Sequence, residues 1–227
     1  MASDNKQPQE ETAIDNLNSH LTSAGEKIAS NKKIIFWGVG AILVVGCFVL
    51  SYLFIFRNPH INKSFEAYNA VEITARGNDS IAAAEYKKVA DEYKRDDAGN
   101  LAALSAGESL YNLGKYQEAA EYLKRFDSDD PVLAANAAVL AADCYVNLKK
   151  YPEALEWLQK AVRTANANPQ IVPRALLKEA NIYDELKQYD KALDCYTMIK
   201  TDFPQFQLGN GVSVDAYIER ENSRLGK

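Results

Sequence analysis

Histidine is nearly missing from this chain: its 227 residues hold two, His20 and His60. Both lie outside the stretch that carries the repeating pattern described below, so no histidine-assisted triad and no histidine-rich metal site can form there. Cysteine is hardly commoner. Cys47, Cys144 and Cys195 stand far apart with no CxxC pair, which argues against a zinc ribbon and a disulfide framework. They read as small buried hydrophobes, with pairing of Cys144 and Cys195 left open should the domain face an oxidising compartment. Seven prolines and eleven glycines are too few for a many-turned all-β fold. An excess of one charge is lacking too. Lysine and arginine number 26 against 31 aspartates and glutamates, net -5, and the charge is spread thinly, which speaks against nucleic acid and against a basic membrane-surface patch. The acidic run Asp127, Asp129 and Asp130 lacks the spaced glycine and terminal glutamate of a calcium loop and reads as a turn and helix start. The expectation is therefore no catalytic residue, no metal, no cofactor and no small-molecule substrate.

What the chain does have is one long apolar run. Residues 34–56, IIFWGVGAILVVGCFVLSYLFIF, carry no charge, and about 20 such residues suffice to cross the hydrocarbon core as a helix. The run is apolar all round, with Trp37 near one end and Tyr52 near the other, as interfacial aromatics are. A secretory signal has a shorter apolar region of about 7–15 residues and a small-residue cleavage site. Val44-Val45-Gly46-Cys47 resembles a lipoprotein cleavage box, but apolar sequence continues beyond Cys47. A transmembrane helix is the reading. Lys27, Lys32 and Lys33 precede it, and Arg57 and Lys63 follow. The positive-inside rule then leans towards a cytoplasmic N-terminus and a C-terminal part on the far side, periplasmic in a Gram-negative bacterium. The reverse orientation stays open. In the tail, residues 1–33, Ile14, Leu17, Leu21, Ala24 and Ile28 recur at helical spacing and predict a short amphipathic segment.

After the apolar run the chain repeats. Ala82, Ala119, Ala154 and Ala192 are 37, 35 and 38 residues apart, and a large apolar residue follows each by four: Tyr86, Leu123, Leu158 and Tyr196. Three units place a tyrosine three residues before the alanine: Tyr116, Tyr151 and Tyr189. Each unit reads as two antiparallel helices joined by a short turn, in which the alanine lets the pair approach within about 8–10 Å and the tyrosine closes the turn. The expected units are residues 100–131, 135–166 and 173–204. A degenerate unit at 63–94 lacks the Gly-x-Tyr turn and caps one end, and an amphipathic helix at 213–225 caps the other.

These segments, LGKYQEAAEYL, LKKYPEALEWL and LKQYDKALDCY, resemble the tetratricopeptide repeat. After the single transmembrane helix at 34–56, the resemblance implies at 57–227 an α-solenoid of helix-turn-helix repeats with a C-terminal capping helix, which makes the whole chain all-α. It implies a protein-binding concave surface lined by the first helix of each unit, here Leu104, Glu108, Tyr111 and Asn112; Val139, Asp143 and Asn147; and Arg174, Leu177, Asn181 and Asp184. The lysine and arginine cluster that clamps a peptide carboxylate in some members is largely missing. An acidic, partly apolar groove suits a basic or amphipathic segment instead. The whole layout is similar to the YfgM family of bacterial inner-membrane proteins. That resemblance implies a single-pass envelope adaptor that assists protein export or chaperone hand-off, with Sec translocon subunits, periplasmic chaperones or exported chains as partners. The alternative is a structural, self-associating component of an envelope assembly.

Overall fold

The computed structural model describes residue 22 and residues 31–208 and 211–227. The amphipathic pattern expected at residues 14–28 lies outside them apart from Thr22. The chain divides into two compact units, Met1–His60 and Ile61–Lys227.

In the first unit α1 spans Lys32–Tyr52 and a single π turn follows at Leu53–Arg57. Its side chains, among them Phe36, Trp37, Phe48 and Phe54, are largely exposed. Among the described residues this is one helix long and apolar enough to cross a membrane; a signal sequence would pass the same test of length and composition.

The second unit holds α2 (Asn58–Thr74) from Ile61 onward and is helical hairpins in series: α2 with α3 (Asp79–Glu92), α4 (Asp97–Asn112) with α5 (Tyr116–Leu123), α6 (Pro131–Asn147) with α7 (Tyr151–Thr164), and α8 (Val172–Glu185) with α9 (Tyr189–Asp202). A final helix, α10, spans Val214–Arg224. No strand occurs among the described residues. The fold is an all-helical array of tetratricopeptide-like repeats.

Local chemistry sets the helix ends. Asn78 caps α3 by accepting the Ile81 amide (3.1 Å), Asp130 caps α6 by accepting the amides of Val132 and Leu133, and Ser213 caps α10 by accepting that of Ala216. Each satisfies donors the first helical turn leaves without a partner. Pro131 follows Asp130 in the first turn of α6, where its missing amide hydrogen costs nothing.

Within each hairpin one residue must turn left-handed. Gly77 (φ 75°), Gly114 (74°), Lys149 (57°) and Lys187 (56°) do so, each five residues before its repeat alanine. The N-terminal unit, without a Gly-x-Tyr turn, thus keeps a turn glycine at the same position. Only the tyrosine is missing, with Asp79 in its place.

Packing follows the small-residue columns. Ala119, Ala154 and Ala192 have no exposed surface, and neither do Ala102 and Ala106 on α4, Ala135, Ala141 and Ala142 on α6, or Ala175 and Ala180 on α8. Side chains this small let helices touch nearly backbone to backbone. Gly107 goes further: a Cβ there would lie 2.6 Å from Cγ of Leu123. The buried side chains form three clusters in chain order, around Tyr86, Leu123 and Tyr196. Val214, Tyr217 and Ile218 of α10 pack onto the last of these, so the final helix covers apolar surface that another repeat would otherwise cover.

Candidate protein-binding face

The first helices of successive repeats, α4, α6 and α8, carry the residues expected to bind. On α4, Leu104 and Tyr111 are half-buried against the central cluster, while Glu108 between them is exposed. Tyr111 also packs edge-on against Tyr116, the turn tyrosine of its own repeat, with ring centroids 5.4 Å apart. Burial raises the Tyr111 pKa, and the charge of Asp143 on the next repeat adds to it, against a hydrogen bond from Asn147. Asn112 donates to Asp79 Oδ1 at 3.3 Å, which ties the end of α4 to the preceding hairpin.

On α6, Val139 is half-buried between the central and C-terminal clusters. The Asp143 carboxylate accepts the Lys178 ammonium at 2.7 Å, and Asn147 donates to the Asp143 carbonyl oxygen at 2.8 Å. On α8, Leu177 packs against the C-terminal cluster, and Asn181 Oδ1 accepts the Tyr196 hydroxyl at 3.4 Å. Asp184 is held by two arginines of α10, Arg220 and Arg224, the latter at 2.7 Å. Its pKa is nonetheless raised, first by burial, with Arg220 opposing and the neighbouring Glu221, which has no exposed surface, adding to the rise.

Asp143 and Asn181 share a cleft of about 500 Å³ between α6 and α8, with Val146, Tyr151, Ile182, Lys149, Lys178 and Glu185. Arg174 is placed elsewhere, exposed in a separate cleft with Pro169, Gln170 and Phe206. Lys178 was not among the expected residues. It sits one helical turn before Asn181 and Ile182, so the helix period alone would have marked it as a neighbour.

The acidity expected along the whole face is therefore uneven. Lys178 neutralises Asp143 and the two arginines neutralise Asp184. At the N-terminal end Glu108 has Glu72 as its charged neighbour, and burial followed by that like charge raises its pKa. Cys144 and Cys195 are free and buried in different clusters, and burial pushes each thiol up to about 12. Among the described residues no group of three or more His, Cys, Asp or Glu side chains is placed to hold a metal ion.

The helical hairpins and this face of first helices define a repeat module of the protein-interaction class. Comparison with known proteins agrees. Residues 174–205 match the family model described as tetratricopeptide repeat, and residues 78–161 match that described as anaphase-promoting complex, cyclosome, subunit 3. Among solved structures the chain is similar to two crystal structures of MamA. One is 21% identical at a TM-score of 0.59, covering 73% of this chain and 85% of that one; the other is 22% identical at 0.54, covering 67% and 81%. At this identity what is shared is the fold. No curated protein sequence matches the chain.

Proposed function

We propose that this chain is a membrane-anchored adaptor: α1 holds it in a bilayer, and the first-helix face of its repeats binds another protein. The observation that carries the reading is the cleft between α6 and α8, where half-buried Val146 and Tyr151 lie beside exposed Asn181 and Glu185, above the buried Ile182. Apolar patches with a few fixed polar groups bury well against a helix or an extended segment. The anchor has its own argument. Each exposed large side chain of α1 left in water forgoes about 1.5–3 kcal/mol of burial, and hydrocarbon relieves that cost for all of them at once. Anchoring also raises the effective concentration of the face near other membrane components, so modest contacts give useful occupancy.

The finer reading places the protein in the bacterial inner membrane with its N-terminus cytoplasmic and its repeats periplasmic, assisting protein export or chaperone hand-off. The similarity of the layout to the YfgM family and the Lys27, Lys32 and Lys33 side chains before the apolar run support it. Sec translocon subunits, chaperones and exported chains are the partners it names. The test is photocrosslinking from position 111 or 147 of the full-length protein in its native membrane, with the captured proteins identified. Capture of such partners, lost when residues 1–56 are removed, is the expected result. Capture of its own copies alone would sink the adaptor reading in favour of a self-assembling structural role.

A further inference from the structure

The two ends of the first-helix face are built alike, yet among the described residues only at one of them is a cation paired with the carboxylates. Tyr86 and Tyr196 occupy the same repeat column, four residues after Ala82 and Ala192. At the C-terminal end the Tyr196 hydroxyl donates to Asn181, its ring lies 5.1 Å from that of Tyr217, and the next helix delivers Arg220. The Arg220 guanidinium pairs with Asp184, reaches Glu221 at 2.6 Å and covers the Tyr217 ring at 4.7 Å. At the N-terminal end the Tyr86 hydroxyl donates to Glu72 Oε1 at 2.7 Å and its ring lies 5.4 Å from that of Tyr68. Here the next helix delivers Ser105, 3.2 Å from the Tyr68 hydroxyl, and Glu108. In place of the paired arginine stands a second carboxylate; Arg76 lines a cleft with Glu72 and Tyr86 but, among the described residues, forms no ion pair with either glutamate. Among the described residues neither Glu72 nor Glu108 forms an ion pair.

Two exposed carboxylates and the half-buried Tyr68 ring, backed by the buried Tyr86, present negative charge and a π-face together, the combination that Arg220 satisfies at the other end of the same chain. The surface continues along α4 and α6 as half-buried Leu104, Tyr111 and Val139. We propose that a docked protein segment places an arginine or lysine side chain between Glu72 and Glu108, against the half-buried Tyr68 ring, and lays apolar residues along Leu104, Tyr111 and Val139. The partner is thus a short basic, amphipathic stretch rather than an acidic or a terminal-carboxylate peptide. This rests on the interaction reading above and adds the chemistry of its occupant. The cation would relieve the repulsion that Glu108 feels from Glu72 and replace the water lost on docking with a charge-assisted hydrogen bond.

The test selects a phage-displayed library of random peptides against the full-length protein in phosphatidylcholine nanodiscs, after depletion on empty nanodiscs. The neutral lipid keeps basic peptides from adhering to the membrane. The expected yield is peptides with one or two arginines or lysines among apolar residues. Affinity of the best peptide, read by fluorescence polarisation, should fall at least tenfold on Glu108→Gln and at least tenfold when its arginine is replaced by citrulline. Circular dichroism confirms that the variant, altered at an exposed position, is folded. Peptides without a basic residue, or an affinity unchanged by Glu72→Gln together with Glu108→Gln, would overturn the cation corner and leave the interaction reading standing. Recovery of no peptide by the folded protein would overturn both.

Discussion

Glu179 should make the array less stable as pH rises through neutrality. It lies on α8 in a column where the two preceding repeats have Ala106 and Ala141, and only 6% of its surface is exposed. Burial raises its pKa from 4.5 to about 7, with the charge of Arg163 on α7 opposing. Tyr183 on α8 and Cys195 on α9 are the other titratable groups that feel it. A carboxyl with a folded pKa above its unfolded one holds its proton in the folded state where the unfolded chain has released it. Stability from this source is complete below about pH 4.5 and is lost as pH rises to about 7. The difference between the two values, at about 1.4 kcal/mol per unit, corresponds to a loss on the order of 3 kcal/mol. Glu179→Gln retains the shape without the charge. Urea unfolding of the full-length protein in detergent, followed by circular dichroism between pH 5 and 8.5, reads the difference between the two proteins. It should be small at pH 5 and favour the glutamine variant by about 3 kcal/mol at pH 8. Parallel curves across that range would refute the argument, because they would mean that the carboxylate ionises with no cost to the fold.

Three further perturbations test the backbone and the cap. A Cβ at Gly99 would lie 1.8 Å from the Tyr93 carbonyl oxygen, so Gly99→Ala must shift α4 against the end of α3. Gly107→Ala meets the more yielding Leu123 side chain. We expect a loss of about 1–3 kcal/mol for Gly107→Ala and a larger one for Gly99→Ala, measured by the same urea titration; the reverse order would contradict the close approach. Lys149 and Lys187 hold left-handed turns that cost a side chain about 1–2 kcal/mol. Glycine at either should stabilise by up to about 1 kcal/mol once its greater unfolded-state freedom is subtracted, whereas Gly114→Ala should destabilise; a lower midpoint for both lysine variants would refute it. Arg220→Ala leaves Asp184 and the fully buried Glu221 short of a cation, although Arg224 still reaches both. A loss of about 2–3 kcal/mol is expected, below the 3–5 typical of a fully buried pair, together with faster amide exchange in α10; unchanged exchange would show that apolar packing alone holds the cap.

The helical hairpins were legible in the sequence because two steric demands recur in every unit. A small residue must sit where the paired helices meet, and a left-handed residue must turn the chain five positions earlier, so Ala119, Ala154 and Ala192 mark the period by themselves. The N-terminal unit, which lacks the Gly-x-Tyr turn, still turns on a glycine: Gly77 performs the task of Gly114, with Asp79 where the tyrosine would stand. The capping helix was visible because Val214, Tyr217 and Ile218 share one face. Which polar groups remain open on the first-helix face was not visible. The pairs Asp143 with Lys178 and Asp184 with Arg220 join residues 35 and 36 apart, close to one repeat. The period thus identifies neighbouring helices, but not the rotation that brings one side chain rather than the next within hydrogen-bonding reach. Sequence by itself determined the architecture, since columns of residue size and turn geometry are properties of each repeat taken alone. Tertiary structure decided where the charge lies, neutralising the middle and the end of the face and leaving Glu72 and Glu108 together, because ion pairing depends on distances across helices that no linear pattern contains.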